Sequence, residues 1–235
     1  MNWLRPSLAS QVRALVTNRE GPGGRRNFNV AEHVGDQRDV AINRNVVVAE
    51  LGVAEIQWLE QVHGSDVVYV QEVNPGPLIC DAVWTDKKGI GLAIMTADCV
   101  PVLLCDRKSR VVGAAHAGWQ GVRSRVVSEL VSQMPVAVQD LQAYIGPSIS
   151  LESYEVGEDV WSQFPERFTR RHADAAKRYL DLPGLVRAEL DALEVPDVQI
   201  AGECVYKNEA YYSHRASQNL GRVAGRFVSA IGLEV

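Results

Sequence analysis

Residues 98–119 read DCVPVLLCDRKSRVVGAAHAGW, and this stretch decides the fold class. Two nearly continuous apolar runs, 100–105 and 111–115, stand on either side of a polar segment. Such runs are typical of β-strands buried on both faces, because a strand with one exposed face alternates apolar and polar residues. Asp98 adjoins the first run and needs a partner, since an unpaired buried charge is costly. The same interpretation predicts further strands at 11–17, 66–71, 89–95, 141–145 and 198–201.

Segments with helical spacing alternate with these strands. In residues 121–134 the apolar side chains fall on one stripe, and residues 220–231 show the same spacing. Pro183 occupies a favoured position for a helix N-terminus and opens a predicted helix over 184–193. A further helix is expected to begin near Glu155. Buried strands with helices outside them predict an α/β or α+β layered domain.

The remaining segments are predicted to be loops or surface. Residues 21–27 and 74–77 are the expected loops, and the charged stretch 165–178 is expected to be a solvated, partly helical segment. The chain has no internal repeat and no linker rich in Pro, Gly or Ser. We therefore expect residues 1–235 to form a single domain.

Composition argues against several classes of function. The net charge of −5 leaves no broad basic surface for a phosphate backbone, so nucleic acid is not an expected partner. No apolar run reaches the ~18 residues of a membrane span, and the first residues lack the apolar run of a secretory signal. The four cysteines contain no CxxC pair, which indicates reduced thiols. We expect a cytoplasmic protein that acts on a small molecule, as a monomer in the simplest case and with an oligomer left open.

Three potential metal ligands stand at the ends of predicted strands. His63 precedes the strand at 66–71, Cys99 directly precedes the run 100–105, and His116 follows the next run. Two imidazoles and one thiolate form a three-ligand set with one coordination position open, as in catalytic zinc sites. Their spacing matches no zinc-finger pattern. The same residues are also compatible with a core cysteine beside two hydrogen-bonded histidines.

Several motifs resemble one known family. The segments are QVHGSDVV, DAVWTDKKGIGLAIMTADCVPVLLCD, VVGAAHAGWQGV, YIGPSISLESYEVGEDV and CVYKNEAYYSHRAS, and they resemble, in the same order, the YfiH family. Its members are also called laccase-domain or polyphenol oxidase proteins and are described as purine nucleoside phosphorylases. The resemblance covers residues 17–222. It implies a single-domain α/β/β/α sandwich and a catalytic zinc bound by His63, Cys99 and His116.

The resemblance also suggests residues that surround the metal. Arg44, in HVGDQRDVAINRN, matches a family arginine and is a candidate to clamp phosphate, but an ion pair on a helix surface is equally compatible. Gly118 leads into a predicted helix whose N-terminal N–H groups suit an anion. Gln120 stands where the family usually has arginine. Ser213 and Arg215 match the family's C-terminal serine–arginine motif and are expected to line the pocket.

The implied activity is zinc-dependent phosphorolysis of a purine nucleoside, namely adenosine, inosine, guanosine or S-methyl-5'-thioadenosine, with adenosine deamination as a second activity. Two alternatives stay open. Two histidines and a cysteine also bind copper, so a laccase-like copper polyphenol oxidase is one of them. A multicopper oxidase needs on the order of ten histidines, because imidazole is the main copper ligand, and this chain has five. The other alternative is a hydrolase that edits peptidoglycan precursors.

Overall fold

A computed structural model describes residues 3–234 of the chain. The predicted domain bounds, 1–235, therefore include residues 1, 2 and 235, which lie outside the described residues. The strands are β1 (Val12–Val16), β2 (Glu55–Gln57), β3 (Leu59–Glu60), β4 (Val67–Tyr69), β5 (Leu78–Ile79), β6 (Ala82–Thr85), β7 (Ile90–Thr96), β8 (Val100–Asp106), β9 (Val112–Ala117), β10 (Leu141–Ile145), β11 (Glu155–Gly157), β12 (Thr169–Arg171), β13 (Lys177–Leu180), β14 (Asp197–Ile200) and β15 (Phe227–Leu233). The α-helices are α1 (Gln37–Leu51), α2 (Trp119–Arg123), α3 (Val126–Gln133), α4 (Glu158–Trp161), α5 (Leu182–Ala192) and α6 (His214–Leu220).

The two strands predicted from the apolar runs, β8 and β9, lie at the centre of a six-stranded sheet in the order β14-β10-β8-β9-β6-β4. They pair antiparallel, with Pro101 opposite His116, and all of their residues are buried. On one face of β8, Val102 and Leu104 pack against helices. On the other face, Leu103 packs against the second sheet. The apolar run is continuous because both faces of the strand are covered.

The second sheet contradicts the helix predicted over 220–231. It has four strands in the order β1-β15-β7-β2, and β15 pairs antiparallel with both β1 and β7. All seven residues of β15 are buried. Apolar residues spaced by three and four also occur in a strand that is covered on both faces, so this spacing alone does not distinguish a helix from a buried strand. The helix that precedes β15, α6, ends at Gly221, whose φ of 63° is left-handed.

The elements stack in four layers. Helix α1 covers the outer face of the four-stranded sheet, through a core that includes Val47 and Leu51. The two sheets face each other across a second core that includes Leu92, Leu103 and Phe227. Helices α3 and α5 cover the outer face of the six-stranded sheet. The predicted layered α/β/β/α sandwich is therefore confirmed.

Several predicted helices differ in their extent. The stripe over 121–134 is buried as expected, but it belongs to two helices, α2 and α3, which are separated at Arg125 with a φ of 59°. The helix expected near Glu155 is wrong there, because the chain first forms β11 and pairs with β13 before the short α4 begins. The longest helix, α1, was not predicted, although Asp36 caps its N-terminus and Gly52 ends it in a left-handed conformation.

The charged stretch 165–178 is more regular than predicted. It contains a 3-10 helix at Glu166–Phe168, the strand β12, and the start of β13. With β11, these two strands form a small three-stranded sheet. Within the described residues, no helix combines the length and the apolarity that crossing a bilayer requires.

Candidate metal centre

The three predicted metal ligands reach one place from three elements. His116 lies in β9, on the same face as Ala114, which is the face that packs toward the four-stranded sheet. Cys99 lies in the short connection between β7 and β8, next to the start of β8. His63 lies in the connection between β3 and β4, with a left-handed φ of 62°. The pairing of β8 with β9 places Cys99 beside His116.

The ligand atoms of His63, Cys99 and His116 all lie within 4.8 Å of one another. Sγ of Cys99 is 3.9 Å from Nε2 of His63. The two imidazole rings have centroids 4.8 Å apart and meet edge to face at 76°. Separations of this size are compatible with zinc-to-ligand bonds of about 2.0–2.3 Å to a shared ion. The donor set therefore fits one metal ion with a further position open.

A fourth residue, Asp81, fixes both histidines. Its Oδ1 lies 2.7 Å from Nδ1 of His116 and also accepts the backbone N–H of His63 at 2.9 Å. Its Oδ2 accepts the backbone N–H groups of Gly64 at 2.6 Å and of Val62 at 3.2 Å. Because Nδ1 of His116 is engaged by a carboxylate, Nε2 is left to face the ligand group. A carboxylate in this position is usual behind a metal-binding histidine.

The electrostatics of the centre favour charged forms. Burial by itself would raise the pKa of Asp81, but the bond with His116 and the backbone N–H of Gly64 outweigh it and hold the pKa below its ordinary value. Burial would likewise raise the pKa of Cys99, yet the adjacent His116 and His63 lower it overall. A lowered thiol pKa favours the thiolate, which is the form that binds metals.

The side chains of His63, Cys99 and His116 line a cavity of about 550 Å³. This size is ordinary for a small-molecule site. The lining combines aliphatic, aromatic and polar side chains: His33, Leu59, Glu60, Gln61, His63, Met95, Thr96, Ala97, Asp98, Cys99, His116, Trp119, Gln120, Tyr154, His214, Arg215, Gln218 and Arg226.

Comparison with known proteins shows which family this chain belongs to. The model of the multi-copper polyphenol oxidoreductase laccase family matches residues 13–234. The chain belongs to this family. The family predicted from the motifs is therefore confirmed, and its laccase-domain members include proteins named YfiH.

Relatives within this laccase-domain family have names that state an activity. The purine nucleoside phosphorylase of Deinococcus radiodurans is 39% identical, over 97% of this chain and 91% of that protein. A purine nucleoside phosphorylase of Pseudomonas aeruginosa is 35% identical, over 94% of this chain and 96% of that protein. The purine nucleoside phosphorylase YfiH of Escherichia coli is 34% identical, over 84% of each chain.

Solved structures share the laccase-domain fold. A protein of Neisseria meningitidis has a TM-score of 0.90 and 32% identity, and the match covers 100% of both chains. YlmD of Geobacillus stearothermophilus has a TM-score of 0.88 and 28% identity, covering 100% of this chain and 97% of that one.

Asp98 binds Ser213 and Arg215, the two residues that match the family's C-terminal motif, and so holds them near the metal centre. Asp98 has a left-handed φ of 108°, and its Oδ1 accepts the hydroxyl of Ser213 at 2.6 Å. Its Oδ2 accepts the backbone N–H of Arg215 at 2.7 Å. Ser213 in turn caps α6 by accepting the N–H of Ala216. Asp98 therefore has the partners that its burial requires, and these bonds hold the first turn of α6 against the cavity.

Arg215 and Gly118 both adjoin the cavity. The Arg215 guanidinium donates to the carbonyl of Glu155 at 2.7 Å and lies 5.5 Å from the ring centroid of Tyr154. Gly118 precedes α2, and a Cβ at this position would lie 2.8 Å from Cδ2 of His63 and 3.2 Å from Sγ of Cys99. The close approach leaves room only for glycine. Since α2 has five residues, its N-terminus provides little of the dipole expected from a longer helix.

Arg44 lies on α1, outside the residues that line the cavity. Its Nε donates to the carbonyl of Val30 at 2.9 Å and its Nη1 to Oε1 of Glu32 at 2.9 Å. Its guanidinium lies 4.4 Å from the ring centroid of Trp58. A phosphate clamp at Arg44 stays a prediction.

The sequence analysis missed two residues: Asp81, which binds His116, and Arg226, which lines the cavity. Asp81 stands at the start of β6 and its side chain is fully buried. The signal was a charged residue between an apolar pair, Ile79–Cys80, and an apolar strand, which requires a partner such as histidine. Arg226 had no comparable signal, because the segment around it was interpreted as helix.

Proposed function

We propose that this chain is a metal-dependent purine nucleoside phosphorylase, with zinc as its metal. The observation that carries the proposal is the convergence of His63, Cys99 and His116 within 4.8 Å at the base of a cavity of nucleoside size. The names of relatives at 34–39% identity, matched over at least 84% of either chain, support the same activity.

Zinc would be held by Nε2 of His116, Sγ of Cys99 and a ring nitrogen of His63. When bound, it supplies a Lewis acid and a template for oxygen groups of the substrates. Asp81 holds His116 in the tautomer that leaves Nε2 free, and it fixes the loop that carries His63. This arrangement lets the site form without reorganisation, which favours both affinity and catalysis.

The reaction joins phosphate to the sugar and releases the base. A phosphate oxygen forms a bond to the anomeric carbon, the glycosidic C–N bond breaks, and the base leaves with that electron pair and takes up a proton. The aromatic rings of Trp119 and Tyr154 offer flat apolar surface for a purine. The cationic Arg215, fixed by Glu155, adds positive charge that suits the anionic co-substrate.

Copper oxidation has one argument in its favour, the name of the matching family model. The geometry favours a mononuclear site instead. Within residues 3–234, His63, Cys99 and His116 form the single group of three or more such ligands close enough to share a metal. A laccase needs further copper ions in a cluster. We therefore place copper oxidase activity below phosphorolysis. We also propose a cytoplasmic location, supported by four cysteines that are all free.

The test uses purified protein loaded with zinc and a panel of purine nucleosides, with and without inorganic phosphate. We expect free base and ribose 1-phosphate in equal amounts, formed only when phosphate is present. Cys99→Ala is the control and is expected to lose both zinc and activity. Base release that does not depend on phosphate would reject the proposal, as would activity in the control. Inosine formed from adenosine without phosphate would establish deamination as a second activity, and oxygen uptake with phenols would favour the copper alternative.

A further inference from the structure

Arg226 lies on the segment that leads into β15, and its backbone is fixed on both sides. Its N–H donates to Oδ1 of Asn29 at 2.8 Å, and its carbonyl accepts the N–H of Val30 at 3.3 Å. The next residue, Phe227, begins the central strand of the four-stranded sheet and is fully buried. The side chain of Arg226 therefore extends into the cavity from a rigid support.

The guanidinium of Arg226 has unused hydrogen-bond donors. Nη1 donates to the carbonyl of Gly225 at 2.9 Å. Across residues 3–234, Nε and Nη2 have no protein acceptor, and no carboxylate lies within 4.0 Å of the guanidinium. Arg44, by contrast, is neutralised by Glu32 and lies outside the cavity. Arg226 is thus a cation with free donors on the wall of the candidate active site.

The negative groups near Arg226 are occupied by other partners. Burial lowers its pKa, while Cys99 and Asp98 act in the opposite direction. Both carboxylate oxygens of Asp98 already accept bonds, from Ser213 and from Arg215. Cys99 belongs to the ligand group. Arginine stays protonated despite partial burial, so an unpaired, partly desolvated guanidinium remains beside the metal centre.

We infer that Arg226 binds the inorganic phosphate co-substrate. This inference rests on the proposed function, since it assigns one substrate of that reaction to one wall of the cavity. A guanidinium offers two parallel N–H donors, and the geometry of that fork matches two oxygens of a phosphate. A divalent ion with a single thiolate ligand would keep a net positive charge near Arg226, and this charge would further favour binding of the phosphate dianion.

The experiment measures phosphate binding directly, by calorimetric titration of zinc-loaded protein with inorganic phosphate. It compares the unmodified protein with Arg226→Gln, Arg226→Lys and Arg222→Gln. Arg222 is the matched control, because it lies on the same segment but pairs with Glu209 and the carbonyl of Tyr206 outside the cavity. Zinc content and thermal unfolding are recorded for each variant.

Loss of a charge-assisted pair should weaken phosphate binding about 10- to 100-fold in Arg226→Gln. In Arg226→Lys, which keeps the charge without the fork, we expect a smaller loss. The control should bind like the unmodified protein, and the KM for nucleoside should change less than twofold in all variants. Unchanged phosphate binding in Arg226→Gln would overturn the inference. If that variant does not fold, unchanged binding in Arg226→Lys would overturn it.

This experiment distinguishes failure of the Arg226 assignment from failure of the proposed phosphorolysis. A protein that binds phosphate through Arg226 but releases no ribose 1-phosphate would refute phosphorolysis and leave the anion site intact. A protein that carries out phosphorolysis with unchanged phosphate binding in Arg226→Gln would refute only the assignment of Arg226.

Discussion

Nδ1 of His116 lies 2.7 Å from Oδ1 of Asp81, and the same oxygen accepts the backbone N–H of His63. One buried carboxylate thus orients one metal-binding ring and anchors the loop that carries the other. The centre is therefore built around Asp81, although this residue is not itself one of the three grouped ligands.

Replacing Asp81 with asparagine should weaken zinc binding. The amide keeps the shape of the carboxylate but loses its charge, and its NH₂ group cannot accept the backbone N–H bonds. Loss of such a partner typically lowers metal affinity about 10- to 100-fold. Competition with a chelator measures the affinity, and circular dichroism checks the fold. The control is Asp86→Asn, which changes an exposed carboxylate directly after β6. Equal zinc affinity in the two variants would show that Asp81 does not support the metal site.

Adding a methyl group at Gly118 should disturb the centre without unfolding the protein. The new Cβ would lie 2.8 Å from the His63 ring and 3.2 Å from the Cys99 sulfur, so at least one ligand must move. A displacement on the scale of 1 Å costs about 100-fold in activity. Gly76→Ala is the matched control, because nothing lies within 4 Å of its Cβ. Steady-state kinetics and metal content measure the effect, and the same activity in both alanine variants would be the contrary result.

Truncating Phe227 should destabilise the whole domain. Phe227 is 0% exposed and begins β15, between β1 and β7. Phenylalanine to alanine in a core costs about 3–5 kcal/mol of unfolding free energy. The control is Val223→Ala, at a residue that precedes Phe227 on the same segment and is 50% exposed, and it should cost less than about 0.5 kcal/mol. Urea unfolding gives both values, and equal costs would mean that this segment is not a central strand.

Asp106 should make stability depend on pH in the acid range. Its side chain is fully buried, and Oδ1 accepts the N–H groups of Arg110 at 2.6 Å and Val111 at 3.0 Å. Burial would raise its pKa, but these bonds and the Arg110 guanidinium outweigh burial and hold the pKa low. A lowered folded-state pKa stabilises the protein above the unfolded value of about 4, and this stability is lost as pH falls through the folded-state pKa.

The corresponding variant is Asp106→Asn. At neutral pH it should lose about 1–3 kcal/mol of unfolding free energy, because one buried acceptor and one charge are removed. The difference from the unmodified protein should shrink as pH falls below about 4, where the aspartate itself becomes protonated. Asp140→Asn, a partly exposed neighbour, should lose less than about 1 kcal/mol. Urea unfolding across pH tests this, and a difference that grows toward acid pH would contradict it.

The sequence predicted the centre of the fold well because its signals are local. Strands β8 and β9 are covered on both faces, so their sequences are continuous apolar runs, and Cys99 and His116 stand out at the ends of those runs. The segment 220–231, which includes the first residues of β15, was wrongly predicted as helix, because apolar residues spaced by three and four fit a helix as well as a buried strand. Gly221 and Gly225 were the available signs of a break.

Asp81 and Arg226 could not be placed from the sequence because their roles depend on strand pairing. Asp81 meets His116 because β6 pairs antiparallel with β9. Arg226 reaches the cavity because β15 lies beside β7, whose last residues line the same cavity. Such contacts between distant segments leave no periodic trace along the chain.

The central claim is that His63, Cys99 and His116 hold one metal ion, and titration of metal-free protein with cobalt(II) tests it most directly. We expect saturation at one ion per chain and a thiolate-to-cobalt charge-transfer band, since Cys99 would be a ligand. Cys99→Ala should lose the band, and His63→Ala and His116→Ala should bind cobalt more weakly. A titration without a thiolate band, or equally tight binding in all three variants, would contradict the account.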